Sequence, residues 1–298
     1  MIKNWISAAR LRTLPLSLSG IILAGFLAAA DGYFQWKIFI LSLITAILFQ
    51  ILSNFANDYG DGVKGTDNQD RIGPSRALQS GKITPAQMKK AIIWTAVLSF
   101  IFALWLVLTA FGIQHWKIIL FYLFLGLASI TAAIKYTIGK KAYGYFGMGD
   151  LFVLIFFGLV SVIGAYFLYA RHLDWTLIFP ALSIGFLSIG VLNLNNMRDI
   201  QSDQKAKKNT IPVKIGLQNA KKYHILLMIL PLFLVQAYNY HHYKGPWQWI
   251  FILPYILILK HTARIILIQN PKDFDPELKK LAIATFLFAI FFGLGQIL

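Results

Sequence analysis

The chain has 298 residues, 57% of them hydrophobic and 13% charged, with a formal net charge of +16 and no cysteine. Soluble domains run near about 45–50% apolar and about 25% charged, so an apolar surplus this large cannot be hidden in a globule and lipid is the expected solvent. The missing thiols exclude a disulfide framework and a thiolate metal site, and the basic excess matches the cytoplasmic loops of membrane proteins rather than a nucleic-acid partner.

A bilayer-spanning helix needs about 20 mostly apolar residues. Nine stretches qualify: 14–31, 37–54, 91–112, 117–134, 148–170, 176–196, 223–239, 248–268 and 279–297. The first is preceded by Lys3, Arg10 and Arg12 and closes on Ala28, Ala29 and Ala30, the outline of a signal peptide. Eight further spans point instead to an uncleaved first helix. The expected fold is an all-α membrane protein of about nine transmembrane helices in one bundle around a central cavity.

With the N-terminus inside, the inward segments hold 24 of the 28 Lys and Arg residues, leaving only Lys37, Lys117, Arg171 and Lys244 outside. That bias sets the expected orientation as N-terminus cytoplasmic and C-terminus outside. Two of the inward segments, 55–90 and 197–222, are long and polar, and four helices separate them. This spacing suggests one domain over 1–298 made of two related halves, 14–134 and 148–268, plus a C-terminal helix at 279–297. Repeats of this kind place sites at the interface between halves.

The polar segments carry the chemistry. Asp58 and Asp61 stand three apart, and Asp199 and Asp203 four apart; on a helical turn each pair shares a face. Like charges so close repel, which a cation would relieve. With Asn57 and Asn196 adjacent and no thiol available, only hard oxygen ligands are offered, a set suited to Mg²⁺. Interleaved cations (Lys64, Arg71 and Arg76, then Arg198, Lys205, Lys207 and Lys208) suit phosphate oxygens. Acids and bases together describe a magnesium–diphosphate site that stabilises a departing diphosphate. The plainer alternative is a set of solvated charges that only fix topology. A membrane protein that ionises a diphosphate suggests a lipid substrate, and an allylic diphosphate would give a carbocation that an aromatic ring attacks while water is kept out.

At these residues the sequence resembles the UbiA superfamily of intramembrane prenyltransferases, in particular its branch acting on 1,4-dihydroxy-2-naphthoate in menaquinone synthesis. The resemblance rests on Asn57-Asp58-Tyr59-Gly60-Asp61 running on to Asp67, on Arg71 to Arg76, on Gly144 to Asp150, and on Asn195-Asn196-Met197-Arg198-Asp199 with Asp203 and Thr210 to Val213. It implies magnesium-dependent transfer of a polyprenyl group from polyprenyl diphosphate to the naphthoate ring, with loss of diphosphate and carbon dioxide. Where the wider superfamily often repeats an aspartate, this chain has Gly65, and Asp67 stands two residues further on.

The residues singled out are therefore Asp61, Asp199 and Asp150 as catalytic; Lys64, Arg71, Arg76, Arg198 and Lys207 for the diphosphate; and Asn57, Asp58, Asp61, Asp67, Asn196, Asp199 and Asp203 for Mg²⁺. Asp150, at the start of an apolar helix, either orients the aromatic hydroxyls or takes a proton, or simply caps the helix. The six histidines are scattered, and adjacent His241 and His242 read as interfacial. Two other classes compete. A transporter would carry its charges or helix breaks in mid-span, and a sister enzyme would prenylate 4-hydroxybenzoate or haem.

Overall fold

The computed structural model describes residues 2–65, 72–73, 76–139 and 141–298. Among them nine helices are long and apolar enough to cross a membrane: α1 (Ile2–Ala30), α2 (Trp36–Val63), α3 (Pro85–Phe111), α4 (Ile113–Lys135), α5 (Gly149–Ala170), α6 (Trp175–Arg198), α7 (Ile211–His241), α8 (Pro246–Leu267) and α9 (Pro271–Ile297). This is a multi-pass membrane protein. Helix is the form that satisfies every backbone N–H and C=O internally where lipid offers no partner. Large apolar side chains such as Trp94, Trp105, Phe121, Phe124 and Phe233 stay exposed on the outer faces, as a lipid solvent requires.

The helices overrun the apolar stretches. The second continues nine residues past the expected end at 54, so Asn57, Asp58 and Asp61 sit on its last turns rather than in a loop. The seventh is preceded by a helical turn at 211–215, breaks at Gly216, whose φ of 78° and ψ of 160° are not helical, and continues from 217 rather than 223; a short helix, Ile200–Lys205, fills part of the segment expected as loop. α1 opens with a separate turn that breaks at Arg10, whose φ of 50° is left-handed.

α6 is the most enclosed span and packs against α5, α7 and α9, while α1 packs against α2, α5 and α9. Small residues permit the tightest crossing. A Cβ on Gly158 of α5 would lie 2.7 Å from the Ala181 carbonyl and 3.0 Å from the Gly185 Cα of α6, the close backbone approach that membrane bundles favour. From Leu154 to Gly164 the backbone of α5 is wound as a π-helix, bonded to the fifth residue back and normally seen only as a single turn.

Away from the cavity, residues far apart in sequence form a buried polar chain across α7, α8 and α9. The His224 and His261 Nε2 atoms are 3.0 Å apart, and His261 Nδ1 lies 2.7 Å from Glu277 Oε2. Lys280 donates to Glu277 Oε1 at 2.7 Å, with Arg264 at 3.1 Å. At the far end of the bundle, His242 Nε2 is 2.8 Å from Thr176 Oγ1. Lys280 and Arg264 are 55% and 60% exposed and stay solvated without Glu277, whereas the buried His261 would be left without its acceptor. Glu277→Leu is therefore expected to cost about 1–2 kcal/mol of stability, seen as earlier thermal unfolding of the full chain in detergent micelles.

Candidate active site

A cavity of about 770 Å³ runs into the bundle between α1, α2, α3, α4, α5 and α6. Its walls change character along its length. At one end stand Arg10, Asn54, Asn57, Asp58, Asp61, Arg76, Asn195 and Lys208; deeper in are Leu106, Val107, Phe156, Phe157, Val160 and Leu168. The helices alternate in direction, so α2 and α6 end on the same side of the membrane, and their last turns bring the two acid-bearing segments to the polar end of the cavity.

Asp61, buried on the last turn of α2, is held through both of its oxygens. Its Oδ2 accepts from Arg76 Nη1 at 2.9 Å and its Oδ1 from the Tyr145 hydroxyl at 2.9 Å. Arg76 also donates to the Asn57 carbonyl at 2.7 Å. Lys208 belongs to the second segment but its charge acts on both Asp61 and Asp203, with its Nζ 3.7 Å from Asp203 Oδ1. Burial disfavours the Lys208 ammonium, yet the two carboxylates beside it raise its pKa above the ordinary lysine value. Burial likewise pushes Asp203 up to about 6, against the pull of Lys208 and with the repulsion of Asp199 and Asp61.

The other residues singled out from sequence divide. Asp58 lines the cavity mouth and accepts from the backbone N–H groups of Ala77 and Leu78 at 3.2 and 3.4 Å, so it also ties down the chain that carries Arg76. Asp199 faces Arg198, whose buried guanidinium forks onto both of its oxygens at 2.9 and 2.6 Å. The remaining donors of Arg198 reach Asn195 and, on α9, Asp275. The Arg198 side chain is thus taken up by protein partners and does not line the cavity. Lys64 lies over the Tyr145 ring, 4.1 Å from its centroid. Lys207 is exposed: its left-handed backbone, φ 54°, turns it outward and sends its neighbour Lys208 into the site. Asp150, in the first turn of α5, accepts from the Tyr223 hydroxyl at 2.8 Å and from its own backbone N–H. Asp67 and Arg71 lie outside the described residues.

Sequence reasoning passed over three participants. Tyr145 lay within the Gly144 to Asp150 motif without a role; Lys208 was one lysine among three; Asp275 gave no signal, being 77 residues from the arginine it meets. The cavity wall next to the acids is aromatic, with Tyr143 stacked on Phe152 at 3.8 Å. Burial raises the Tyr136 and Tyr143 phenols, so both stay neutral hydrogen-bond donors.

The donor set fits a hard divalent cation. The buried Asn196 Oδ1 and Asp203 Oδ2 have no hydrogen-bond partner among the described residues, and buried acceptors of this kind call for one. No three His, Asp or Glu side chains among the described residues are close enough to share one ion. Mg²⁺ bound by one or two carboxylates, with waters and phosphate oxygens completing its shell, matches that spacing.

Comparison with known proteins gives the same outline. The UbiA prenyltransferase family matches residues 18–294. The 1,4-dihydroxy-2-naphthoate octaprenyltransferase of Escherichia coli (strain K12) is 42% identical over 291 residues, spanning 98% of this chain and 94% of that protein. Its counterpart from Haemophilus influenzae is 38% identical across 100% of this chain and 96% of its own length. Among solved structures, an apo UbiA homolog from Aeropyrum pernix K1 superposes with a TM-score of 0.67 at 17% identity, covering 100% and 98% of the two chains. A UbiA homolog from Archaeoglobus fulgidus bound to DMAPP and Mg²⁺ gives 0.65 at 14% identity, covering 99% of each; these two likenesses show the fold.

The Asp203 carboxyl generates a prediction. A folded-state value above the ordinary 3.8 means that the folded metal-free protein binds a proton the unfolded chain has lost, so stability from this group rises as pH falls through about 6. Lys208→Met removes the cation that opposes the shift. The Asp203 carboxyl, followed by its infrared band in metal-free protein, is expected to titrate at higher pH in that variant than in wild type.

Proposed function

The chain belongs to the UbiA prenyltransferase family, and from that membership we propose that it transfers a polyprenyl group from polyprenyl diphosphate to 1,4-dihydroxy-2-naphthoate, yielding demethylmenaquinol, the reduced form of demethylmenaquinone. The observation that carries the reading is the meeting of two acid-and-base segments at the mouth of an apolar cavity. The acceptor is supported by relatives of that activity that are 38–42% identical over almost the whole chain.

In this reading the diphosphate sits at the polar end and the prenyl chain lies along Phe156, Phe157, Val160 and Leu168. Asp58 and Asp61 of the first segment and Asp199 and Asp203 of the second, with Asn57 and Asn196, would hold Mg²⁺ as ions that each take no more than two of these carboxylates, and Asp67 would join them. When bound, Mg²⁺ would supply positive charge that favours departure of the diphosphate. Arg76, Lys208 and Lys64 neutralise the rest, together with Arg71. Arg198 acts differently: locked between Asp199 and Asp275, it orients the carboxylate instead of gripping phosphate. Exposed Lys207 is left with a role at the surface.

Ionisation leaves an allylic cation among aromatic walls. The ring carbon bearing the carboxylate attacks it, the new carbon–carbon bond forms, and the carboxylate departs as carbon dioxide. The Tyr143–Phe152 stack keeps water away from the cation and offers it π-faces. Asp150, fixed by Tyr223, orients the acceptor hydroxyls.

We also place the acid-bearing side in the cytoplasm, because the basic residues concentrate there, 24 of 28. The acids end α2 and α6, four helices apart, which supports a duplicated four-helix unit over 14–134 and 148–268.

Membranes containing the chain are expected to convert farnesyl or longer prenyl diphosphate and dihydroxynaphthoate into prenylated naphthoquinol, and EDTA is expected to stop turnover. Product from 4-hydroxybenzoate or haem, with none from the naphthoate, would reassign the acceptor. Asp61→Asn and Asp199→Asn are each expected to lower kcat at least about a hundredfold while the proteins elute from size exclusion as wild type does. Full Mg²⁺-dependent rates in both would refute the site.

A further inference from the structure

We propose that Tyr145 is a positioning residue that locks the metal-and-diphosphate end of the cavity by joining its two acid-bearing segments; this rests on the reading above. The segment between α4 and α5 reaches across to the chain ahead of α7. The Asn209 N–H donates to the Tyr145 carbonyl at 2.9 Å, and Lys214 Nζ donates to the Phe146 carbonyl at 2.8 Å. Gly147 makes this contact possible. Its φ is 79°, and a Cβ there would fall 2.8 Å from the Asn209 carbonyl. The backbone therefore presents the Tyr145 ring at a set place, whatever the ring then does.

From that place the side chain touches both segments. Its hydroxyl donates to Asp61 Oδ1 at 2.9 Å, Lys64 Nζ lies 4.1 Å from the ring centroid, and Lys208 Nζ lies 5.6 Å from it. Both ammonium groups are within the range of a cation–π contact. The ring is only half-buried, so filling a core does not account for an aromatic here. One residue fixes the carboxylate of the first segment by a hydrogen bond and gathers a lysine from each segment by its face. The two functions are chemically separable: phenylalanine keeps the face and loses the hydroxyl, and leucine loses both.

The test titrates Mg²⁺, and then inorganic pyrophosphate with Mg²⁺, into the purified full chain in detergent by calorimetry, alongside steady-state kinetics. Tyr145→Phe is expected to weaken Mg²⁺ binding about tenfold, the loss of one hydrogen bond to a charged group, with pyrophosphate affinity at fixed saturating Mg²⁺ unchanged. Tyr145→Leu is expected to weaken pyrophosphate about a further threefold, the loss of cation–π contact. KM for the aromatic acceptor stays at the wild-type value in both. Should Tyr145→Leu not fold, the Mg²⁺ titration of the near-isosteric Tyr145→Phe decides alone. Wild-type affinities in the variants, or an acceptor KM rising in step with that for the prenyl diphosphate, would overturn the assignment. A wild-type chain that binds neither Mg²⁺ nor pyrophosphate would overturn the functional reading along with it.

Discussion

Lys208 between Asp61 and Asp203 is the interaction on which the polar end of the cavity depends. Buried carboxylates of like charge repel, and ionised groups cost several kcal/mol to take out of water unless they are paired. Here the acids come from the ends of different helices, and the ammonium between them makes their approach tolerable. Arg76 does the same for the outer face of Asp61. The protein thus carries its own positive charge where the acids converge, which lets the site assemble as the chain folds and leaves cationic groups in place to meet an anionic substrate.

That cluster is held from outside as well. Arg198 spans α6 and α9 through Asp199 and Asp275, and Asp58 fastens the backbone at Ala77 and Leu78 that brings Arg76 inward. Several charged residues at the membrane surface therefore support others rather than face the cavity. The apolar part of the cavity needs no such scaffolding. Its walls are helices whose backbone bonds are already satisfied, and its side chains need only exclude water and fit a hydrocarbon.

The spans were legible in the sequence because lipid imposes a length and a composition on anything that crosses it. Their ends were not. Asn57 to Val63 and, after the break at Gly216, residues 217–222 are polar turns of helix beyond the apolar run, and hydropathy is silent about helix in water. In the site, the three-residue step from Asp58 to Asp61 marks two neighbouring side chains whether the backbone is loop or helix. The choice between Lys207 and Lys208 was not written in the letters, since it turns on one left-handed residue. The meeting of Arg198 with Asp275, or of His224 with His261, is a product of tertiary packing across long stretches of chain, and residue spacing carries no trace of it. Tyr145 stood inside a motif, yet its neighbours Lys64 and Lys208 come from elements that only the fold brings to it.

The unusual winding of α5 has an evolutionary consequence. Between Leu154 and Gly164 its turns are wider than those of an ordinary helix, and this stretch supplies Phe156, Phe157, Val160 and Ser161 to the wall that would face a lipid tail. Deleting one residue there would tighten these turns toward regular winding and change which side chains face the cavity within the stretch, while Asp150 before it and the acids on α2 and after α6 kept their positions. A lineage could re-cut the hydrocarbon channel for a longer or shorter chain in a single step, without disturbing the chemistry at its mouth.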